Sequence, residues 1–159
     1  MREYGEERFA RRITKNIIAC RSEKPITRTG QLAEIIAAAV PLREKDKHPA
    51  TRSFQAIRIF INNELGDLRL ALDQVDSLLR PGGRLAVISF HSLEDRIVKR
   101  FMREQSRGDD FPPDLPVTAD RLKPRMRLIG KAIRPGAEEV AGNPRARSAV
   151  LRLAQKLTA

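Results

Sequence analysis

The sequence predicts an α/β protein in which a helical first half is followed by a strand-bearing second half. Three observations carry this. Residues 1–80 repeat apolar side chains at helical spacing, Pro81–Met102 reads as a turn, a strand and an amphipathic helix, and Ser148–Leu153 alternates as strands do. In the middle segment, PGGRLAVISFHSLEDRIVKRFM, the Pro81-Gly82-Gly83 triplet is a strong breaker. The run Leu85-Ala86-Val87-Ile88 is uncharged and partly β-branched, as a strand covered on both faces would be. Ser92 followed by Asp95 has the spacing of a capping box at a helix start. Leu93, Ile97, Val98 and Phe101 then recur at helical spacing, with Arg96, Lys99, Arg100 and Arg103 mostly between them. In α/β sheets ligands sit outside the carboxyl ends of the strands, so Ser89, Phe90, His91 and Ser92 lie where a site is expected.

Taken in order, Phe9, Ile13, Ile17 and Cys20 mark one face of a first helix, and Arg21–Arg28 is a polar connection. Thr29 is placed to cap a second helix carrying Leu32, Ile35, Ile36 and Ala39, which Pro41 ends. A basic loop, Leu42–His48, follows. Pro49 suits the first turn of a third helix through Phe54, Ile57, Ile61 and Leu65. Asn62-Asn63 and Gly66 break or bend it, and a fourth segment continues through Leu68, Leu72, Val75 and Leu79. After the central helix, Gln105–Arg125 is a proline-rich excursion of the length usually reserved for functional loops. Arg127–Ile133 reads as a strand, and Ser148–Leu153 as another with Ala149, Leu151 and Leu153 on one face.

The chain has 159 residues, enough for one domain or one domain with an appendage. Its 31 Lys and Arg against 20 Asp and Glu give a net charge of +11, the footprint of a polyanionic partner. Nucleic acid is the default partner, although an anionic membrane surface or ribosomal neighbours would read the same way. Nothing approaches the roughly eighteen apolar residues of a membrane span, and Met1–Glu7 has no apolar core of a signal peptide. The lone Cys20 excludes an internal disulfide and fits a reducing, cytoplasmic setting.

Two histidines, His48 and His91, with one cysteine do not make a zinc site, and no metal is expected. His91, Ser92 and Asp95 invite a hydrolase reading, but neighbours at a helix start rarely face one another. Glu94-Asp95 is favoured there by the helix dipole without any catalytic role. No GxGxxG and no Walker lysine loop occurs, so no nucleotide phosphate is cradled. Two basic clusters remain. Lys47, His48, Arg52 and Arg58 (with Lys45) surround a helix N-terminus, where free N–H groups suit a phosphate. Arg145 and Arg147 form a second cationic turn in Asn143–Arg147. A solvated charged face, or structural ion pairs, would leave the same pattern. With no Trp, one Tyr and six Phe, phosphate contacts and shape must carry more of any RNA binding than base stacking does.

GEERFARRI at 5–13, HPATRSFQAIRIFINNEL at 48–65, PGGRLAVISFHSLEDRIVKRF at 81–101 and NPRARSAVLR at 143–152 together resemble the bacterial 16S ribosomal RNA (cytosine-N4)-methyltransferases, the RsmH or MraW family. The resemblance is ordered and spread over nearly the whole chain. It implies an S-adenosylmethionine-dependent enzyme acting on the exocyclic amine of a cytosine in the small-subunit RNA. It also implies a doubly wound methyltransferase sheet with a helical domain inserted into it. On this mapping the chain is the C-terminal part of that fold. Residues 1–60 are an incomplete inserted, RNA-recognising domain. Residues 61–159 are the end of the methyltransferase domain, with strands at about 85–90, 127–133 and 148–153. The family's cofactor loop and acidic ribose-binding position precede this segment, so no cofactor-binding residue is expected in the chain and the catalytic residue stays unassigned.

The expectation is therefore a portion of an rRNA methyltransferase, inactive alone. Lys47, His48, Arg52, Arg58, Arg145 and Arg147 would hold RNA of the small ribosomal subunit, and Ser89, Phe90 and His91 would line the mouth entered by a flipped cytosine. An unpaired edge and an uncovered apolar face would favour self-association or a need for the missing half. The rival readings are a non-catalytic basic RNA- or ribosome-binding module and a structural partner completed in trans. The turn–strand–helix unit at 81–102 is what a purely helical module does not need.

Overall fold

A computed structural model of the protein describes residues 1–41, 48–108 and 122–158. Its contacts divide the chain into two units, Met1–Glu64 and Leu65–Ala159. The first is helical, with α1 (Arg2–Gly5), α2 (Ala10–Glu23), α3 (Thr29–Ala39), α4 (Thr51–Asn62) and the start of α5 (Glu64–Leu78). The second continues α5 and adds β1 (Arg84–Ser89), α6 (Ser92–Arg107), β2 (Met126–Leu128), α7 (Ala137–Gly142), a 3-10 turn at Pro144–Ser148 and β3 (Val150–Lys156). The described residues thus form an α/β protein with one small antiparallel sheet.

In the first unit, Ile13 of α2 and Ile36 and Ala39 of α3 make a buried core with Ala50, flanked by Phe9, Ile17, Leu32 and Phe54. Thr29 is the first residue of α3 rather than its cap. The side chain of Gln31 reaches back instead, accepting from the N–H groups of Thr27 and Arg28 at 3.1 Å each. Pro49 lies just outside α4, and His48 Nδ1 accepts from the Ala50 N–H at 3.1 Å.

The phase of α4 differs from the sequence expectation. Ser53, Ala56 and Ile59 are buried, while Ile61 is 72% exposed. The reason is α1, because small side chains on that face let Gly5 approach the α4 backbone. A Cβ at Gly5 would stand 2.5 Å from the Arg52 carbonyl oxygen, a backbone atom that cannot swing aside. Gly5→Ala is expected to cost about 1–3 kcal/mol through this overpacking, read as a lower thermal midpoint of the first unit. Helix α4 stops at Asn63, which takes a left-handed φ of 50° that asparagine tolerates.

In the second unit the strand order is β1-β3-β2, and both neighbours run antiparallel to β3, so β1 and β2 are parallel to each other. One face of the sheet is covered by α5 and α6. Leu72, Val98, Met102, Met126 and Ala154 form its core, with Leu68, Val75, Leu79, Leu85 and Val87 packed against it. Gly82 turns the chain into β1 at a φ of 78°, and its N–H donates to the Lys156 carbonyl.

Three sequence expectations are corrected here. The apolar run of β1 is covered on one face, not two, since Ile88 is 59% exposed and Ala86 is exposed with it. The strand expected over 127–133 is shorter: β2 ends at Leu128, and only an isolated bridge pairs Ile133 with Leu151. In β3 the buried apolar residues are Val150 and Ala154, not the Ala149, Leu151 and Leu153 set. Arg152 and Lys156 share that covered face because each meets a carboxylate, Asp95 and Asp76 respectively.

Candidate functional site

The carboxyl end of β1 delivers Ser89, Phe90 and His91 in sequence, and the start of α6 fixes them. The cap of α6 is His91 with Glu94, one residue earlier than the expected Ser92 and Asp95 pair. Glu94 Oε2 accepts from the N–H of Phe90 at 2.9 Å and of His91 at 3.3 Å, while His91 Nδ1 accepts weakly from the Glu94 N–H at 3.4 Å. His91 Nε2 is buried 3.2 Å from Glu94 Oε1 without the alignment of a hydrogen bond. Ser89 is 3% exposed and faces the core, whereas Phe90 is 55% exposed at the mouth.

Asp95, released from the capping role, forms a bidentate pair with Arg152: Nε to Oδ1 at 2.7 Å and Nη2 to Oδ2 at 3.0 Å. The two side chains are only 24% and 20% exposed. Hydrogen bonding from Arg152 holds the Asp95 carboxyl below its ordinary range against the opposing effect of burial, and the charges of Arg152, Lys99 and Arg134 add to it. The same hydrogen bond raises the Arg152 guanidinium. The pair ties the first turn of α6 to the middle of β3, so the strand end is anchored to two elements.

Register then decides what else lies at this end. Ser89 pairs with Val150, the first residue of β3, and the turn Pro144–Ser148 runs directly into that strand. The antiparallel pairing therefore sets the basic turn at the same end of the sheet as Ser89, Phe90 and His91. Asn143 Oδ1 accepts from the Arg145 N–H at 3.2 Å and shapes the turn. Arg145 and Arg147 are exposed, and neither has an ion-pair partner among the described residues.

The other basic cluster belongs to the first unit. Arg52 extends an Nη1 to the Glu6 carbonyl at 3.4 Å. Arg58 is engaged by Glu64 through two bonds of 2.7 and 3.0 Å, with Asn62 supporting the same carboxylate. His48 is exposed beside the helix start, and Lys47 lies outside the described residues. Sequence reading missed Asp95, Arg152 and Arg134 as parts of the strand-end site. No spacing signals a pair separated by 57 positions.

The comparisons with known proteins agree in direction. A family model described as the MraW methylase family matches residues 1–157. The chain is 61% identical over 158 residues to the ribosomal RNA small subunit methyltransferase H of Thioalkalivibrio sulfidiphilus (strain HL-EbGR7), covering 99% of the chain and 50% of that protein. It is 59% identical over 158 residues to the protein of the same name from Dechloromonas aromatica (strain RCB), covering 99% and 51%. The chain thus spans about half the length of the curated relatives it matches.

Proposed function

The chain belongs to the MraW methylase family, and on that premise we propose that it works as part of an S-adenosylmethionine-dependent methyltransferase acting on the N4 amine of a cytosine in 16S rRNA. The observation that carries the reading is the basic turn at the carboxyl end of β1, beside Phe90 and His91. An amine inside a stacked duplex is out of reach of a methyl donor, so the target base must be unstacked or extruded. Exposed Phe90 offers it a stacking face at the mouth, and His91, held by Glu94, borders that mouth. Arg145 and Arg147 grip flanking phosphates. His48, Arg52 and Arg58, with Lys47, add phosphate contacts from the helical unit, where Arg58 exchanges its Glu64 carboxylate for phosphate.

The residues present at the β1 end do not fit the methyl donor itself. Its ribose hydroxyls and amino group call for an uncommitted carboxylate, and here Glu94 caps α6 while Asp95 is held by Arg152. These 159 residues alone are therefore expected to be inactive. That β1 and β2 run in the same direction on either side of β3, with α6 between them in the chain, supports extension into a doubly wound sheet. Exposed Ile88 and Ile133, with Leu151 and Leu153 beside them, support self-association or completion by a further segment; a monodisperse monomer with one cooperative melt would count against this. A cytoplasmic setting, among ribosomal subunits, follows from the substrate.

Arg145→Gln/Arg147→Gln tests the reading. Binding to a 16S rRNA transcript is expected to weaken, and the slope of log K against log salt to flatten by roughly one to two units, as two phosphate contacts are lost. An unchanged slope would remove the turn from the interface.

A further inference from the structure

The solvent face of α6 carries a charge pattern that neither the cap nor the core explains. We propose that Lys99, Arg103 and Arg107, in one row with Arg100 beside them, form a phosphate-binding ridge for RNA leading away from the strand-end mouth. The inference rests on the methyltransferase reading above and assigns a second contact region within it.

Val98 and Met102 anchor the opposite stripe of the helix in the core, 0% and 1% exposed, so the ridge sits on a fixed element. On the solvent side five of the seven exposed positions are cationic and one, Glu104, is acidic. Lys99, Arg103 and Arg107 succeed one another at intervals of four, where like charges face and repel along a helix. Among the described residues no carboxylate lies within ion-pair distance of these three or of Arg100. The helix dipole favours a cation in the last turn, which accounts for Arg107. Lys99 acts through its charge on Asp95 one turn earlier, a carboxylate already paired with Arg152. Neither effect accounts for Arg103. Arg103, with cations three and four residues before it and another four after, is repelled along the helix, and a polyanion laid there would relieve the repulsion.

Dimension and direction agree with such a ligand. At about 1.5 Å rise per residue, Lys99 and Arg107 stand about 12 Å apart along the axis. A strand of a nucleic-acid duplex places one charge about every 3.4 Å, so the row spans about three or four phosphates. The helix is capped by His91 at the mouth, so a base entering there would leave its flanking strand along the ridge. A basic amphipathic helix also suits an anionic membrane, but such a helix buries its apolar face in the lipid. The apolar face of α6 is already committed to Leu72, Met126 and Ala154, which favours RNA.

The test is the chain carrying Lys99→Gln/Arg103→Gln/Arg107→Gln, titrated with a 16S rRNA transcript over a range of KCl. The expected result is at least about tenfold weaker binding and a salt slope flattened by about two to three units, with a thermal midpoint equal to or above that of the parent. The charge-preserving variant Lys99→Arg/Arg103→Lys/Arg107→Lys is expected to restore both affinity and slope. An unchanged slope would overturn the ridge, whether or not the midpoint fell. Loss of binding to phosphatidylglycerol vesicles with RNA binding intact would overturn it in favour of a lipid surface. If the parent chain itself ignores the transcript, the methyltransferase reading fails first, and the ridge with it.

Discussion

Arg152→Met is expected to lower the melting temperature of the unit spanning Leu65–Ala159 by roughly 10–20 °C. The substitution keeps the length and the packing of the side-chain stem but leaves Asp95, 24% exposed, with no bidentate partner. Loss of charge-assisted hydrogen bonds of this kind costs about 2–3 kcal/mol, and each kcal/mol shifts a domain of this size by about 4–8 °C. Asp95→Asn is expected to cost less, because the amide still accepts from the guanidinium. The double variant should recover part of the loss, which is the signature of direct coupling.

The pH dependence of that loss has a defined sign. Asp95 has a folded pKa below its ordinary value of 3.8, so its stabilisation is complete above that value and disappears as pH falls through the lower folded one. The gap in stability between the parent and Asp95→Asn should therefore be constant near neutrality and close below about pH 4. Denaturant melts at pH 7 and at acid pH check it. A gap that widens in acid would show that the carboxylate is not stabilising the fold.

The pair also marks where the sequence stops being legible. Helical spacing located the buried residues Ile13, Ile36 and Leu72 of α2, α3 and α5, because each sits in a run of large apolar side chains spaced three or four residues apart. It misplaced α4, where Ile57, Ile59, Phe60 and Ile61 surround the axis and leave the phase undefined. Contact with Gly5 decided it, through the small residues Ser53 and Ala56. In β3 the polar residues Arg152 and Lys156 point toward the helices, against the rule that alternation puts polar groups outside. Their partners lie 57 and 80 positions away, and no local pattern records them.

The candidate site shows the same division. Ser89, Phe90 and His91 were legible as a strand end, since a breaker, an apolar run and a helix start bracket them. That Arg145 and Arg147 lie at the same end was not, because it depends on β3 running antiparallel to β1 in the register Ser89 to Val150. The cap slipped by one residue for a chemical reason. The capping box is usually opened by serine or threonine, yet the imidazole Nδ1 of His91 accepts in their place, and Glu94 rather than Asp95 completes the box.

On the proposed reading, the chain supplies the strand end and the RNA-holding surface of a methyltransferase whose donor is held elsewhere. The most direct measurement is calorimetric titration of the chain with S-adenosylmethionine, paired with a methyl-transfer assay on 16S rRNA. Both are made on the chain alone and after adding the part of the Thioalkalivibrio sulfidiphilus relative that this chain does not match, about half of that protein. No heat and no transfer alone, with both appearing on mixing, is the predicted result. Tight donor binding by the 159 residues alone would contradict it, and RNA binding without transfer in the mixture would leave a basic RNA-binding module in its place.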